Sequence, residues 1–202
     1  IYAILDGAMS AVLTNPNVRP GETLSGEVRI AGGDHPAEID HVTLALLTRV
    51  EVESGDTSRL NVVADGAKYL ETKPEQLQLH RNLVTQALKL YGAQHYDHYD
   101  FLFSISDQMS GNGLEHQRSS EDGEDTGYFT DWDAKVGFSD LLAHEYTHSW
   151  NGKYRRPADL WTPNYNVPMQ DSLLWVYEGQ TQYWGNVLTG RSGMRPQQAS
   201  LD

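Results

Sequence analysis

The sequence predicts an α+β protein, with a β-rich opening followed by a region that mixes strands and long helices. Three observations carry this. Residues 23–30 alternate, with Leu24, Gly26, Val28 and Ile30 on one face and Thr23, Ser25, Glu27 and Arg29 on the other, the period of a half-buried strand. From Pro74 to Leu90 the apolar residues Leu77, Leu83, Val84, Ala87, Leu88 and Leu90 recur at three- and four-residue spacing, the period of a helix. Residues 140–150 and 171–188 read as two further helices.

The elements follow in order. Ala11 to Thr14 is a short apolar run, and Asn15-Pro16 and Arg19-Pro20-Gly21 signal turns. Gly32-Gly33-Asp34 turns the chain again. Residues 39–52 read as a long strand, with Val42, Leu44, Leu46, Thr48, Val50 and Val52 in period two. The small residues Ser54-Gly55-Asp56-Thr57-Ser58 mark a boundary between a first domain, 1–56, and a second, 57–202. Leu60 to Val63 is a brief strand. Pro74 opens the first helix and Gly92 ends it. Residues 99–106 form an aromatic-rich strand, and residues 110–126, rich in Gly, Ser and acids, read as a loop. Ser139 or Asp140 sits near the N-cap of the second helix. Residues 152–170, with Pro157, Pro163 and Pro168, are an irregular crossing, and Gly190 to Gly193 stops the last helix.

The chain has 202 residues, enough for one full domain or two small ones. Its net charge is −13, and Lys153 with Arg155-Arg156 is a short basic cluster, so nucleic acid is excluded as a partner. No apolar run approaches the ~20 residues of a membrane span, and no signal-peptide pattern opens the chain. A soluble protein is expected, with the compartment left open between bacterial cytoplasm and periplasm. There is no cysteine, so a metal site must draw on His and carboxylates.

Such a site is legible in His144-Glu145-Tyr146-Thr147-His148. On a helix, residues i and i+4 share a face, so both imidazoles reach one ion. Glu145, beside the first imidazole, is placed to take a proton from a metal-bound water without ligating the metal, the device of zinc metallopeptidases. A catalytic zinc takes three protein ligands and keeps one position open. Glu178, in the apolar setting Leu174-Trp175-Val176-Tyr177-Glu178-Gly179, is the expected third, since an unpaired carboxylate there would be costly. His95 and His98 flank a turn, and His35, His41 and His80 lie in surface-like contexts, so none is expected to act. The imidazoles of such a site need orienting partners, which the sequence leaves open; Asp140 and Asp171 are two candidates with no motif behind them.

From Leu60 to Gly193 a series of blocks resembles the catalytic domain of the glycyl aminopeptidase family of zinc metallopeptidases. The blocks are His95-Tyr96-Asp97-His98-Tyr99-Asp100-Phe101, Gly113-Leu114-Glu115-His116, Gly127-Tyr128-Phe129-Thr130-Asp131-Trp132, His144 through Lys153, Arg156 through Trp161, and Leu174 through Gly179. The resemblance implies a partial thermolysin-like zincin core with one zinc, and removal of N-terminal residues, Gly or Ala preferred, from peptides with a free N-terminus. It implies His144, His148 and Glu178 as ligands and Glu145 as the base. Asn112-Gly113-Leu114-Glu115-His116 lies where the related aminopeptidase N family carries its exopeptidase motif. Gly113 and Glu115 are thereby implied in substrate binding, with Glu115 anchoring the α-amino group; Asn112 stands where a Gly is usual. The strand 99–106 is expected to line the cleft edge and pair with substrate. Family members continue through a helical subdomain that this chain is expected to lack. In the aminopeptidase N relatives that part brings the Tyr that steadies the oxyanion, leaving Tyr128, Tyr177 and Tyr183 as substitutes.

The first 55 residues differ. Residues 20–28, Gly32-Gly33-Asp34, Ile39-Asp40 and Leu46-Leu47-Thr48-Arg49 resemble the sporulation-control protein family, which implies part of an arrestin-like β-sandwich. Its unpaired edges are expected to be covered by a partner chain or by the peptidase part. Two functions follow: a zinc aminopeptidase, or a non-enzymatic interaction module with a structural or vestigial zinc site. The retained base Glu145 favours the first.

Overall fold

The computed structural model describes residues 8–14, 25–31, 47–50, 58–135 and 139–200. The chain divides into two compact units, Ile1–Leu44 and Ala45–Asp202. In the first, strands β1 (Ala8–Leu13) and β2 (Gly26–Ala31) pair antiparallel, with Ala8 opposite Ala31 and Leu13 opposite Gly26. The turn signals at residues 15–21 and 32–34, most of the strand expected over 39–52, His35 and His41 lie outside the described residues.

The second unit is built on a five-stranded sheet in the order β3-β4-β5-β7-β6. Strand β3 (Leu47–Val50) pairs antiparallel with β4 (Ser58–Ala64), so it joins this sheet although it precedes the boundary expected at 56/57. Helix α1 (Pro74–Tyr91) connects β4 to its parallel neighbour β5 (Tyr99–Ile105), the crossover that parallel pairing requires. As expected, Pro74 opens α1 and Gly92 closes it in the left-handed conformation. β5 pairs parallel with β7 (Ser119–Glu124), and β6 (Asn112–Glu115) lies antiparallel on β7 at the sheet edge.

Two expectations are corrected here. The segment 110–126 is not a loop but carries the β6–β7 hairpin. Ser-Ser-Glu-Asp-Gly-Glu contains no good strand former, and the ladder bonds from β5 and β6 hold it extended. In turn, β5 lies inside the sheet, and the edge beside the site is β6.

One face of the sheet is apolar. Leu60 and Val62 of β4 and Tyr99, Phe101, Phe103 and Ile105 of β5 point into a core with Leu83, Val84 and Ala87 of α1. After the short helix α2 (Trp132–Lys135), α3 (Leu141–His148) adds Leu142, Ala143 and Tyr146 to that core. The Tyr146 ring packs against Tyr99 at 4.6 Å and Phe101 at 5.1 Å, fixing the rotation of α3. Helix α4 (Leu174–Ser192) crosses α3 at Gly185, where a Cβ would lie 3.1 Å from both N and Cα of His144. The absent side chain lets the helices approach closely enough to share a site. Among the described residues, no helix is long and apolar enough to cross a membrane.

His80 is a correction too: it is buried, not surface-like. Its Nδ1 bonds Gln76 O at 2.7 Å and its Nε2 bonds Tyr128 OH at 2.9 Å. Burial lowers its pKa to about 4. The unfolded chain therefore takes up this proton first as pH falls. The stability that neutral His80 contributes is present above about pH 6.5 and is lost towards pH 4. Buried Asp122, raised to about 7, acts in the opposite sense. The comparison is therefore with His80→Gln, which lacks the titration. Between pH 7 and 4.5 the wild type should lose about 2–3 kcal/mol relative to the variant, read from urea midpoints.

Candidate functional site

With Leu142, Ala143 and Tyr146 turned into the core, α3 presents His144 and His148 towards α4. Their Nε2 atoms are 3.1 Å apart. Glu178 Oε2, from the second turn of α4, lies 3.4 Å from His144 Nε2 and 3.3 Å from His148 Nε2. Three donor atoms so close, two of them imidazole nitrogens facing each other, match the edge of a tetrahedral zinc site, about 3.3–3.4 Å for bonds of about 2.0–2.1 Å. His144, His148 and Glu178 therefore fit a metal ion. The burial argument for Glu178 fails: its side chain is 48% exposed. Geometry, not desolvation, singles it out.

The turn after α3 orients one ligand. His148 Nδ1 bonds Asn151 O at 3.0 Å, which turns Nε2 towards the pocket. The Asn151 amide donates to Val176 O, Tyr177 O and Thr181 Oγ1, clamping this turn to α4. Asp140, one of the two candidates for such a role, accepts from Gln182. Asp171 engages Leu174 through its carbonyl. His144 Nδ1 is buried without a partner among the described residues.

Glu145 is 5% exposed, and its Oε2 has no hydrogen-bond partner among the described residues. Burial raises its pKa to about 8, with further upward push from Asp122, Glu115 and Glu178. It lies under Gly113 of β6, where a Cβ would stand 2.7 Å from Glu145 Cδ and 2.9 Å from Leu141 Cδ1. Only a glycine lets the edge strand cross this carboxylate. Asp122, opposite Gly113 in the ladder, is buried and accepts from Ser120 Oγ at 2.7 Å.

Glu115, two residues along β6, faces the same space. One carboxylate oxygen each of Glu115 and Glu145 and a ring nitrogen of His148 all lie within 4.8 Å of one another. Glu115 Oε1 accepts from Tyr177 OH and sits 3.1 Å from Lys153 Nζ. Burial pushes the Glu115 pKa up, but Tyr177's hydrogen bond, the backbone and the charges of Lys153 and His148 outweigh it and hold it below its ordinary value. The Tyr177 ring packs against the His148 ring at 4.6 Å, tilted by 36°.

The structure thus gathers His144, His148, Glu178, Glu145, Glu115 and Gly113. Lys153, Asn151 and Asp122 belong beside them, although spacing along the chain did not mark them. Lys153 and Asn151 lie in the block that follows the histidine pair, which was the available signal. Tyr128 sits in the core against His80, and Tyr183 is exposed, while Tyr177 is the tyrosine at the site. His95 stacks on Tyr154 at 4.5 Å, and His98 lies 3.6 Å from Asp100.

The chain shares this fold with an aminopeptidase N family protein from Idiomarina loihiensis, at a TM-score of 0.61 and 19% identity over 96% of this chain. The match covers 33% of that protein, so this chain spans about a third of its length. No curated protein matches. The model of the M61 glycyl aminopeptidases matches residues 137–202, which include the histidine pair and Glu178. The model of the SpoOM protein family matches residues 6–109, running past residue 55 through β4, α1 and β5. Gly113 and Glu115 fall between the two matched ranges. The chain thus belongs to the SpoOM protein family through residues 6–109, joined to a segment, residues 137–202, that is similar to the M61 glycyl aminopeptidases.

Proposed function

We propose that the second unit carries the site of a zinc-dependent aminopeptidase that removes N-terminal Gly or Ala from peptides. The observation that supports this most is the convergence of His144 Nε2, His148 Nε2 and Glu178 Oε2 beside the buried carboxylate of Glu145, whose Oε2 has no hydrogen-bond partner among the described residues. A zinc ion held by those three residues would supply Lewis acidity, polarising a peptide carbonyl and acidifying water. Glu145 then accepts the proton of the attacking water and delivers it to the leaving amine. Glu115 holds the substrate's free α-amino group as an ion pair, which confines cleavage to the first peptide bond. The edge strand β6 offers its outer backbone groups to an extended peptide.

The test is zinc stoichiometry together with hydrolysis of Gly- and Ala-p-nitroanilide. One zinc per chain and turnover that a chelator abolishes are expected. Purified protein free of zinc, and unable to take it up, would sink the proposal. Zinc without turnover would leave a structural metal site.

Gly113→Ala tests the packing over the base. Its methyl group displaces the Glu145 carboxylate, so kcat should drop by about 10²-fold while zinc content stays at the wild-type level. Unchanged kcat would show that Glu145 does not need its present position.

A further inference from the structure

Glu115 is not empty-handed. Its Oε1 receives two donors, the Tyr177 hydroxyl and the Lys153 ammonium, the latter at 3.1 Å. The Lys153 and Glu115 side chains are only 21% and 19% exposed. An ammonium group on this oxygen is the same chemical species as the N-terminus of a peptide. We infer that Lys153 is the resident cation of the amine anchor, holding the place of the substrate's α-amino group until substrate displaces it. This inference rests on the reading of Glu115 as that anchor.

The two donors differ in freedom. Tyr177 is fixed, its ring packed on His148. Lys153, apart from its contact with Glu115, is anchored at its backbone, where its N–H donates to His148 O at 3.0 Å. Its four-carbon stem lets the ammonium swing away without moving the turn. Tyr177 therefore stays on Glu115 while Lys153 leaves.

Electrostatics explains why a cation belongs here. The Glu115 and Glu145 carboxylates stand within 4.8 Å of each other. Lys153 offsets this crowding when no substrate is present. Its departure leaves the carboxylates unbalanced unless the incoming group brings a positive charge of its own. A free ammonium does so, and an N-acylated terminus does not. Lys153 thereby acts as a specificity residue: it competes with any ligand that must pair with Glu115, lowering its apparent affinity by the fraction of time the anchor is closed, and only a charged amine replaces the charge that leaves.

The test uses the full chain as purified and 2-aminoethanol, an amine with no scissile bond, with N-acetyl-2-aminoethanol as the uncharged control. Dissociation constants are measured by calorimetry for the wild type, Lys153→Met, Lys153→Gln, Lys153→Arg and Glu115→Gln. Both neutral Lys153 variants should bind 2-aminoethanol about tenfold tighter than the wild type, as expected for an anchor closed about nine-tenths of the time. Lys153→Arg, which keeps a cation, should remain near the wild type, the acetylated control should not tighten, and Glu115→Gln should lose amine binding. Unchanged or weaker binding in the neutral variants, with Glu115→Gln still losing the amine, overturns the role of Lys153 and leaves the anchor standing. No preference for the amine over its acetylated form in any variant overturns both.

Discussion

Glu145→Gln should retain one zinc per chain and lose about 10²–10⁴-fold of kcat toward Gly-p-nitroanilide. Glutamine has the same shape, so it still fits beneath Gly113 and keeps α3 in place. Glu145 is not one of the three converging donors, so the metal pocket survives the change. What the amide lacks is an oxygen that can take up a proton and pass it on. Metal content and turnover therefore separate, and elemental analysis beside a p-nitroanilide assay reads both. Turnover retained within a few fold would remove Glu145 from the role of base. Loss of zinc together with turnover would mean that this carboxylate supports the metal instead.

His148→Ala should abolish zinc binding and also destabilise the metal-free protein. The side chain is 1% exposed. Its ring packs on Tyr177, and its Nδ1 satisfies Asn151 O. Truncation leaves a cavity and an orphaned carbonyl, a cost of about 2–4 kcal/mol. Glu178→Gln provides the contrast. Glu178 supplies the third donor but is 48% exposed, so its loss should weaken zinc while leaving metal-free stability within about 0.5 kcal/mol. Urea unfolding with a chelator present measures the stability difference, and a competing zinc indicator measures the affinities. Equal stability losses in the two variants would contradict the burial difference, and wild-type zinc affinity in either would contradict the ligand set.

The shared face of His144 and His148, with Glu145 beside the first, was legible before any coordinates because it depends on local spacing. Two imidazoles four residues apart share a helix face wherever that helix lies, and the residue beside the first is carried with them. The bounds of α1 were legible for the same reason, since Pro74, Gly92 and a 3.6-residue period act within a few turns, whereas α4 starts and ends later than the expected 171–188, at Leu174 and Ser192. Glu178 was singled out for a partly mistaken cause. Its apolar neighbours suggested a buried carboxylate, yet its side chain stands half exposed.

The β6–β7 hairpin was beyond the reach of local reasoning. Ser119–Glu124 carries no strand propensity, and its extended form comes from hydrogen bonds donated and accepted by β5 and β6. Missing that hairpin put the cleft edge on β5 rather than β6 and hid the contact between Gly113 and Glu145, 32 residues apart in sequence. The Lys153–Glu115 pair was hidden likewise, because one partner lies on an edge strand and the other in a turn after a helix. Periodicity and spacing constrain residues that share one element. Contacts between elements depend on sheet order and on how closely helices approach, and those are set by burial and backbone pairing summed over the whole unit.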